Sequence, residues 1–450
     1  MFVGRKDRPG EIILMQSQLI TKLERKFVNA VLGINFLRLQ KGKKFEPAKE
    51  KRASDRRVRK LMKDAYEIPF YRKRFDQVGL KPSDFKCTED LYKFPVLTKD
   101  DLRKWMDEEE GKEQYKYYFH DTTSGSSGTP TRVYYSPREK AWNMANWMRV
   151  LVRGGYDPFT GLTASRLSMH SVSGEQKNIL QKIGFLRREF INQYAPEPDV
   201  IKQINEIKPD LLYMNKTELM RVALYASKHD VHVHHPHFMV PTGEMIDENS
   251  RKLFLQVFGP GLIDAYGCAE LGSIMTKYPG KDYWRIQGDL FAVNVYDDMG
   301  NPAEEGNVSI TPLYKTDFPL INYMIGDRVR MGRLKSGIRV MTSVLGRSND
   351  FISHENGTVT TFFMIAPIFA RNPNIVQVRL VEKSYDELII QAVAIEGLTE
   401  EDIKKVEEDV ISQMNEHLQQ PMKMKFEWMD VIPPDENGKL RLIVNEMKQK

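Results

Sequence analysis

The sequence predicts an α/β protein in two parts: a large N-terminal portion with mixed and parallel sheets and helices, and a small α+β C-terminal domain. Three observations carry this. From Pro209 onward, short apolar runs of strand length alternate with segments of helical periodicity. Beyond Asp350 the texture changes to paired strands around one strongly amphipathic helix. The length of 450 residues favours two or three cores over one.

The chain opens on a basic arm, residues 1–54. Residues 1–60 carry 17 Lys/Arg against 6 Asp/Glu, so the remaining chain sums to about −5 although the net charge is +6. Within the arm, LITKLERKFVNAVLGINFLRLQKGKK is amphipathic, with Phe27, Val31, Ile34 and Phe36 on one side. Such a segment suits an anionic membrane surface, but a helix packed on the main body with a solvated basic face is the favoured reading. Nucleic-acid binding is not expected, because no recognition module accompanies the charge. SDRRVRKLMKDAYEIPFYRKRFDQVGL reads as one helix that stops near Gly79 and Pro82.

Between Thr122 and Gly128 stand seven consecutive Gly, Ser and Thr residues, followed by Thr129-Pro130 and then by Val133-Tyr134-Tyr135, which reads as a strand. Ordered flanks separate this loop from a linker. Its hydroxyls and backbone N–H groups suit phosphate, and a plain surface turn is the alternative. It has neither the Gly-Lys-Ser/Thr of a Walker A loop nor GxGxxG spacing.

The alternating region runs PDLLYM (strand), KTELMRVALYASKH (helix), HFMVPTGEMI (strand), ENSRKLFLQVFG (helix) and GLIDAYG (strand), which argues for parallel pairing. Ligands of such sheets bind beyond the carboxyl ends of strands, where Thr242-Gly243-Glu244 and Tyr266 to Glu270 fall. GNVSITPLY and FPLINYMIGDRVRM are further β-rich pieces. After a boundary near Asp350, NIVQVRLVEKSYDELIIQAVAIEG reads as two paired strands. A helix opened by Thr399 follows, then MKFEWMDVI and KLRLIVNE supply two more strands.

Six motifs in this order resemble the adenylate-forming ligase superfamily: TSGSSGTP at 123–130, TGE at 242–244, YGCAE at 266–270, PLINYMIGD at 319–327, GRSND at 346–350 and DENGKLR at 435–441. The entry segment DAYEIPFYRKRFDQVGLKPSDFKCTEDLYKFPVLTKDDLR is most similar to the phenylacetate–CoA ligase and CapK-like branch, and the resemblance spans roughly residues 55 to 446. It implies an adenylation domain over 55–349 and a small mobile domain over 350–450. It also implies ATP and Mg²⁺, a small carboxylic acid as substrate, and CoA or another thiol as acyl acceptor. An amine or hydroxyl acceptor and a non-catalytic nucleotide-binding protein are the alternatives.

The resemblance assigns roles to particular residues. Thr123, Ser124, Gly125, Ser126, Ser127, Gly128 and Thr129 would hold the β- and γ-phosphates. Tyr266 would stack on adenine, backbone near Gly243 and Glu244 would contact its edge, and Gly267 would belong to the same nucleotide site. Glu270 would ligate Mg²⁺, because one or two carboxylates plus phosphates are what that ion usually takes. Asp327 would accept the ribose hydroxyls, Arg347 would reach ribose or phosphate, and Lys439 would face the developing pentavalent phosphate. Where the family pattern has Arg, Thr and Thr, this chain has Asn322, Ile325 and Ala269. FISHENGTVTTFF lacks a glycine-rich thiol-acceptor loop, so CoA is one candidate acceptor.

Two groups invite metal or redox readings. His229, His232, His234, His235 and His237 could share a strand face as zinc ligands, although polarity at the start of a strand explains them as well. Two distant cysteines, Cys87 and Cys268, give no disulfide framework. With no apolar run of membrane-spanning length and no signal-peptide core at the N-terminus, a cytoplasmic location is expected.

Overall fold

The computed structural model describes residues 46–109, 115, 118–122, 132–166, 184–192, 195–347, 351–418, 420–435 and 440–447. Helices α1 (Pro47–Tyr66), α2 (Pro69–Val78) and α3 (Lys99–Glu109) lead into the hairpin β1 (Phe119–Thr122) and β2 (Arg132–Tyr135). The single helix expected over 54–79 is two. Pro69 disfavours helical backbone at Ile68, which lies extended at ψ 123°, and the next helix starts from that proline. The first helix also begins at Pro47, inside the expected arm, and Glu50 pairs with Arg285 of the main body at 3.1 Å.

Helix α4 (Pro137–Gly154) follows β2 without a loop. Ser136 caps it reciprocally with Glu139: the Glu139 N–H donates to Ser136 Oγ at 3.3 Å, and the Ser136 N–H donates to Glu139 Oε2 at 3.0 Å. Next come β3 (Leu162–Arg166), β4 (Arg187–Phe190), α5 (Glu197–Ile207), β5 (Leu211–Asn215), α6 (Lys216–Lys228), β6 (Phe238–Thr242) and α7 (Glu248–Phe258). Their strands form a parallel sheet in the order β4-β3-β5-β6, the crossover architecture expected of α/β alternation.

Strand β7 (Asp264–Cys268) departs from the expected parallel array. It pairs antiparallel with β8 (Gly272–Lys277) and forms the edge of a seven-stranded sheet. That sheet also holds β9 (Trp284–Ile286), β10 (Phe291–Tyr296), β11 (Glu305–Pro312), β12 (Tyr323–Arg333) and β13 (Arg339–Arg347). Just before β7, the Met239 N–H donates to Gly261 O at 3.0 Å and the Ile263 N–H to Met239 O at 2.9 Å, a parallel bridge to β6. β7 is thus the seam between the two sheets, and the YGCAE motif sits where one hands over to the other.

The C-terminal part comprises β14 (Phe351–Ser353), β15 (Val359–Thr361), α8 (Phe362–Arg371), β16 (Ile375–Ser384), β17 (Glu387–Ala394), α9 (Glu400–His417), β18 (Lys423–Trp428) and β19 (Ile443–Asn445). Its four-stranded sheet runs β18-β17-β16-β19, and Ile365, Leu380, Ile390, Val410 and Met414 share one core of its own. Thr399 caps α9 through Asp402, as the sequence suggested. This unit rests on α6 and α7. Asn249 Nδ2 donates to Ile375 O at 2.6 Å and to Phe369 O at 3.1 Å, and Lys228 pairs with Asp430 at 2.9 Å. No described helix is long and apolar enough to cross a membrane.

Candidate active site

Three of the expected site residues, carried on β7, β12 and β13, meet. Asp327 and Arg347 are direct cross-strand partners in the β12–β13 ladder, an opposite-charge pair on neighbouring strands. Arg347 Nε lies 3.7 Å from Asp327 Oδ1, and Tyr266 Oη donates to Asp327 Oδ2 at 2.7 Å. The pair is open on one side, with Asp327 20% and Arg347 47% exposed. Burial, then the neighbouring Asp327 charge, pushes the Tyr266 hydroxyl well above its ordinary value, so it stays a donor. Burial also raises the Asp327 carboxyl, and Arg347 is the largest influence opposing that rise.

The turn after β7 explains Gly267. A Cβ there would lie 2.0 Å from Gly272 O, so only glycine lets the two backbones cross. Beyond the crossing Ala269 faces outward and Glu270 turns in, 5% exposed. Tyr323 Oη donates to Glu270 Oε1 at 3.2 Å. Among the described residues no group of three or more His, Cys, Asp or Glu could hold a metal ion. A single buried carboxylate still fits Mg²⁺ that arrives on phosphates, since this ion keeps its other positions for water and phosphate oxygens. Cys268 lies beside it, and burial followed by the Glu270 charge raises its thiol well above the ordinary value, which keeps it from acting as a thiolate.

Glu244 occupies a second polar cluster at the carboxyl ends of β5 and β6. Gly243 takes a left-handed φ of 87° directly after β6, which turns the chain outward. Thr217 Oγ1 donates to Glu244 Oε1 at 2.6 Å, and Lys216, 3% exposed, pairs with Asp247 at 2.8 Å. The Thr217 hydroxyl orients the Glu244 carboxylate through one of its two oxygens.

The departures from the family pattern have structural explanations in part. Asn322 is fully buried with φ 50°, and its Nδ2 donates to Leu91 O at 2.6 Å and Phe94 O at 2.9 Å. It ties the segment before α3 to the sheet instead of facing the site. Ile325 is buried in the large core. The hydroxyl loop at 123–130 and Lys439 lie outside the described residues. The histidines do not converge: His234 Nε2 is 3.2 Å from Pro209 O, His237 Nδ1 is 3.1 Å from Asp210 Oδ1, and the His229 ring packs on Tyr225.

Sequence reasoning missed Tyr135 and Lys315. Tyr135 Oη donates to Ala269 O at 3.0 Å and also reaches Glu270 O. Lys315, fully buried, donates to Tyr134 O at 2.6 Å and stands 3.7 Å from Glu139 Oε2. Neither carries a local signal, because their partners lie more than a hundred residues away.

Residues 351–446 match the family model of the CapK C-terminal domain. The chain is 28% identical over 341 residues to the phenylacetate–CoA ligase of Escherichia coli K12, covering 66% of this chain and 70% of that protein. It is 22% identical over 379 residues to protein CapK of Staphylococcus aureus, covering 80% and 81%. The fold matches solved 2-hydroxyisobutyryl-CoA ligase in its post-adenylation state with TM-score 0.72 and 18% identity, covering 90% of this chain and 91% of that one. The resemblance to adenylate-forming ligases is thereby shown. Within them it is to the phenylacetate–CoA ligase and CapK-like branch.

Proposed function

We propose that the protein joins a carboxylic acid to ATP to give an acyl adenylate and pyrophosphate, then passes the acyl group to a thiol such as CoA. The observation that carries this reading is the open cluster of Tyr266, Asp327 and Arg347 beside the buried carboxylate of Glu270. Asp327 is an acceptor able to take the two ribose hydroxyls, and Arg347 brings a charged fork within reach of sugar or phosphate. Tyr266 offers its ring to the adenine side of the same nucleotide.

In the first half-reaction an oxygen of the substrate carboxylate bonds to the α-phosphorus, and the bond from that phosphorus to the oxygen bridging the α- and β-phosphates breaks, releasing pyrophosphate. Positioning and charge neutralisation supply most of the acceleration in such a transfer. When bound, Mg²⁺ would neutralise phosphate charge, and Glu270 is the residue to hold it. The hydroxyl loop and Lys439 are assigned to the phosphates on sequence grounds. In the second half-reaction the thiol sulfur attacks the acyl carbon and AMP leaves. Relatives named phenylacetate–CoA ligase support the thiol acceptor over an amine or hydroxyl. The domain limits 55–349 and 350–450, with a hinge near Asp350, belong to the same reading and are supported by the separate core of the C-terminal part.

The test is carboxylate-dependent exchange of labelled pyrophosphate into ATP over a panel of acids beginning with phenylacetate, followed by CoA addition. Exchange with at least one acid, and thioester formation on adding CoA, is the expected result. Binding of ATP by calorimetry without exchange for any acid would make the protein a non-catalytic nucleotide binder and overturn the reading.

A further inference from the structure

The carboxylate of Glu270 is held by residues outside the family motif that contains it. Tyr323 of β12, itself fully buried, donates to Oε1 at 3.2 Å. Tyr135 of β2, also fully buried, holds the backbone of the same turn through the carbonyls of Ala269, at 3.0 Å, and Glu270. Tyr135 is in turn fixed from behind. The Lys315 ammonium lies 3.8 Å from the centroid of its ring while donating to the carbonyl of Tyr134, and Glu139 answers that buried charge.

These contacts come from separate parts of the chain and converge on two residues. A glutamate side chain fixed in one geometry forfeits most of its rotamer freedom. A site that has fixed it during folding does not incur that cost again when a ligand binds. The Tyr323 phenol and the neighbouring Cys268 thiol are two donors, and a carboxylate with about four acceptor sites keeps lone pairs for a cation beside them.

We infer that Tyr323 and Tyr135 are positioning residues that aim the Glu270 carboxylate at the metal of a metal–nucleotide substrate, with Lys315 locking Tyr135 in place. The inference rests on the reading of Glu270 as the Mg²⁺ ligand. Outer partners of metal ligands typically change metal affinity by about 10- to 100-fold when removed. Both phenylalanine replacements keep the buried ring, so packing is preserved and the hydroxyl alone is lost.

The experiment uses the full chain with a non-hydrolysable ATP analogue and Mn²⁺ as the paramagnetic substitute for Mg²⁺, with bound metal counted by electron paramagnetic resonance. Y323F should weaken Mn²⁺ binding roughly tenfold, and Y135F by a smaller factor in the same direction. In a Y323F/E270Q double variant the tyrosine change should add nothing to the loss already caused by E270Q. Wild-type metal affinity in both Y323F and Y135F, beside a weakened E270Q, would overturn the inference while leaving Glu270 as ligand. The same holds if Y323F lowers affinity by an equal factor with and without E270Q, since the tyrosine would then act on the fold at large. Wild-type affinity in E270Q would overturn the ligand reading and the inference together. If Y323F does not fold, the comparison of Y135F with Y135F/E270Q decides in the same terms.

Discussion

Two charged clusters of this molecule use the same chemistry for opposite ends. Lys315 and Glu139 are sealed, with side chains 0% and 1% exposed. Glu139 Oε1 takes the N–H groups of Asp317 at 2.9 Å and Phe318 at 3.0 Å, and its other oxygen takes that of Ser136. Every polar atom named there is turned on a neighbour, so the cluster fixes backbone. Asp327 and Arg347 face each other across the β12–β13 ladder at the same 3.7 Å as that pair, yet their side chains remain 20% and 47% exposed. Residual exposure, and not separation, is what leaves a pair able to take a ligand. The contrast separates polarity sealed within the fold from polarity left open to a ligand.

The largest expected effect lies outside both clusters and asks whether a second cation completes the open one. Lys439→Ala should slow adenylation by roughly two orders of magnitude or more, the scale of removing one transition-state donor. It should still consume a chemically supplied acyl adenylate at near wild-type rate, because the transferring phosphate is no longer reacting in that half. Stopped assays of the two half-reactions check this, and equal retention of both would remove Lys439 from the site.

The sealed cluster should break as a structural element. Lys315→Met leaves Glu139 buried without its cation and should destabilise the fold by about 3–5 kcal/mol, read from urea unfolding. A change below about 1 kcal/mol would show that the backbone donors alone satisfy Glu139. The smallest effect is expected at the hydroxyl loop. Replacing Ser126 and Ser127 together by Ala should raise the KM for ATP by several-fold only, since hydroxyl donors are lost while backbone N–H groups remain. An unchanged KM would make the loop a plain turn.

Much of this was legible in the sequence where local rules govern. The alternation from Pro209, the helix opened by Thr399 and the paired strands of the C-terminal part follow from periodicity and capping. The break at Ile68-Pro69 was written in the proline but overridden by an apolar pattern that continues across it. The pairing of β7 was not legible, because a strand that bridges to β6 in parallel and then joins β8 antiparallel carries the same apolar run either way. Within the candidate site, motif order singled out Tyr266, Asp327 and Arg347, and the fold brings these three together. Tyr135 was legible only as part of a strand and Tyr323 only as part of a motif, and nothing in the sequence drew attention to Lys315. Asn322 read as a lost cationic contact, whereas its buried amide holds the carbonyls of Leu91 and Phe94. Each of those roles depends on a partner brought close only by the fold.

The open cluster is tested most directly by the ribose it is assigned to hold. In pyrophosphate exchange, the wild-type protein should use 2′-deoxy- and 3′-deoxy-ATP at least about tenfold less well than ATP, because a charged acceptor loses its donor. Asp327→Asn should be slower with ATP and should discriminate much less among the three nucleotides. Wild-type indifference to the ribose hydroxyls, or full discrimination kept by Asp327→Asn, would contradict the assignment of this cluster to the nucleotide.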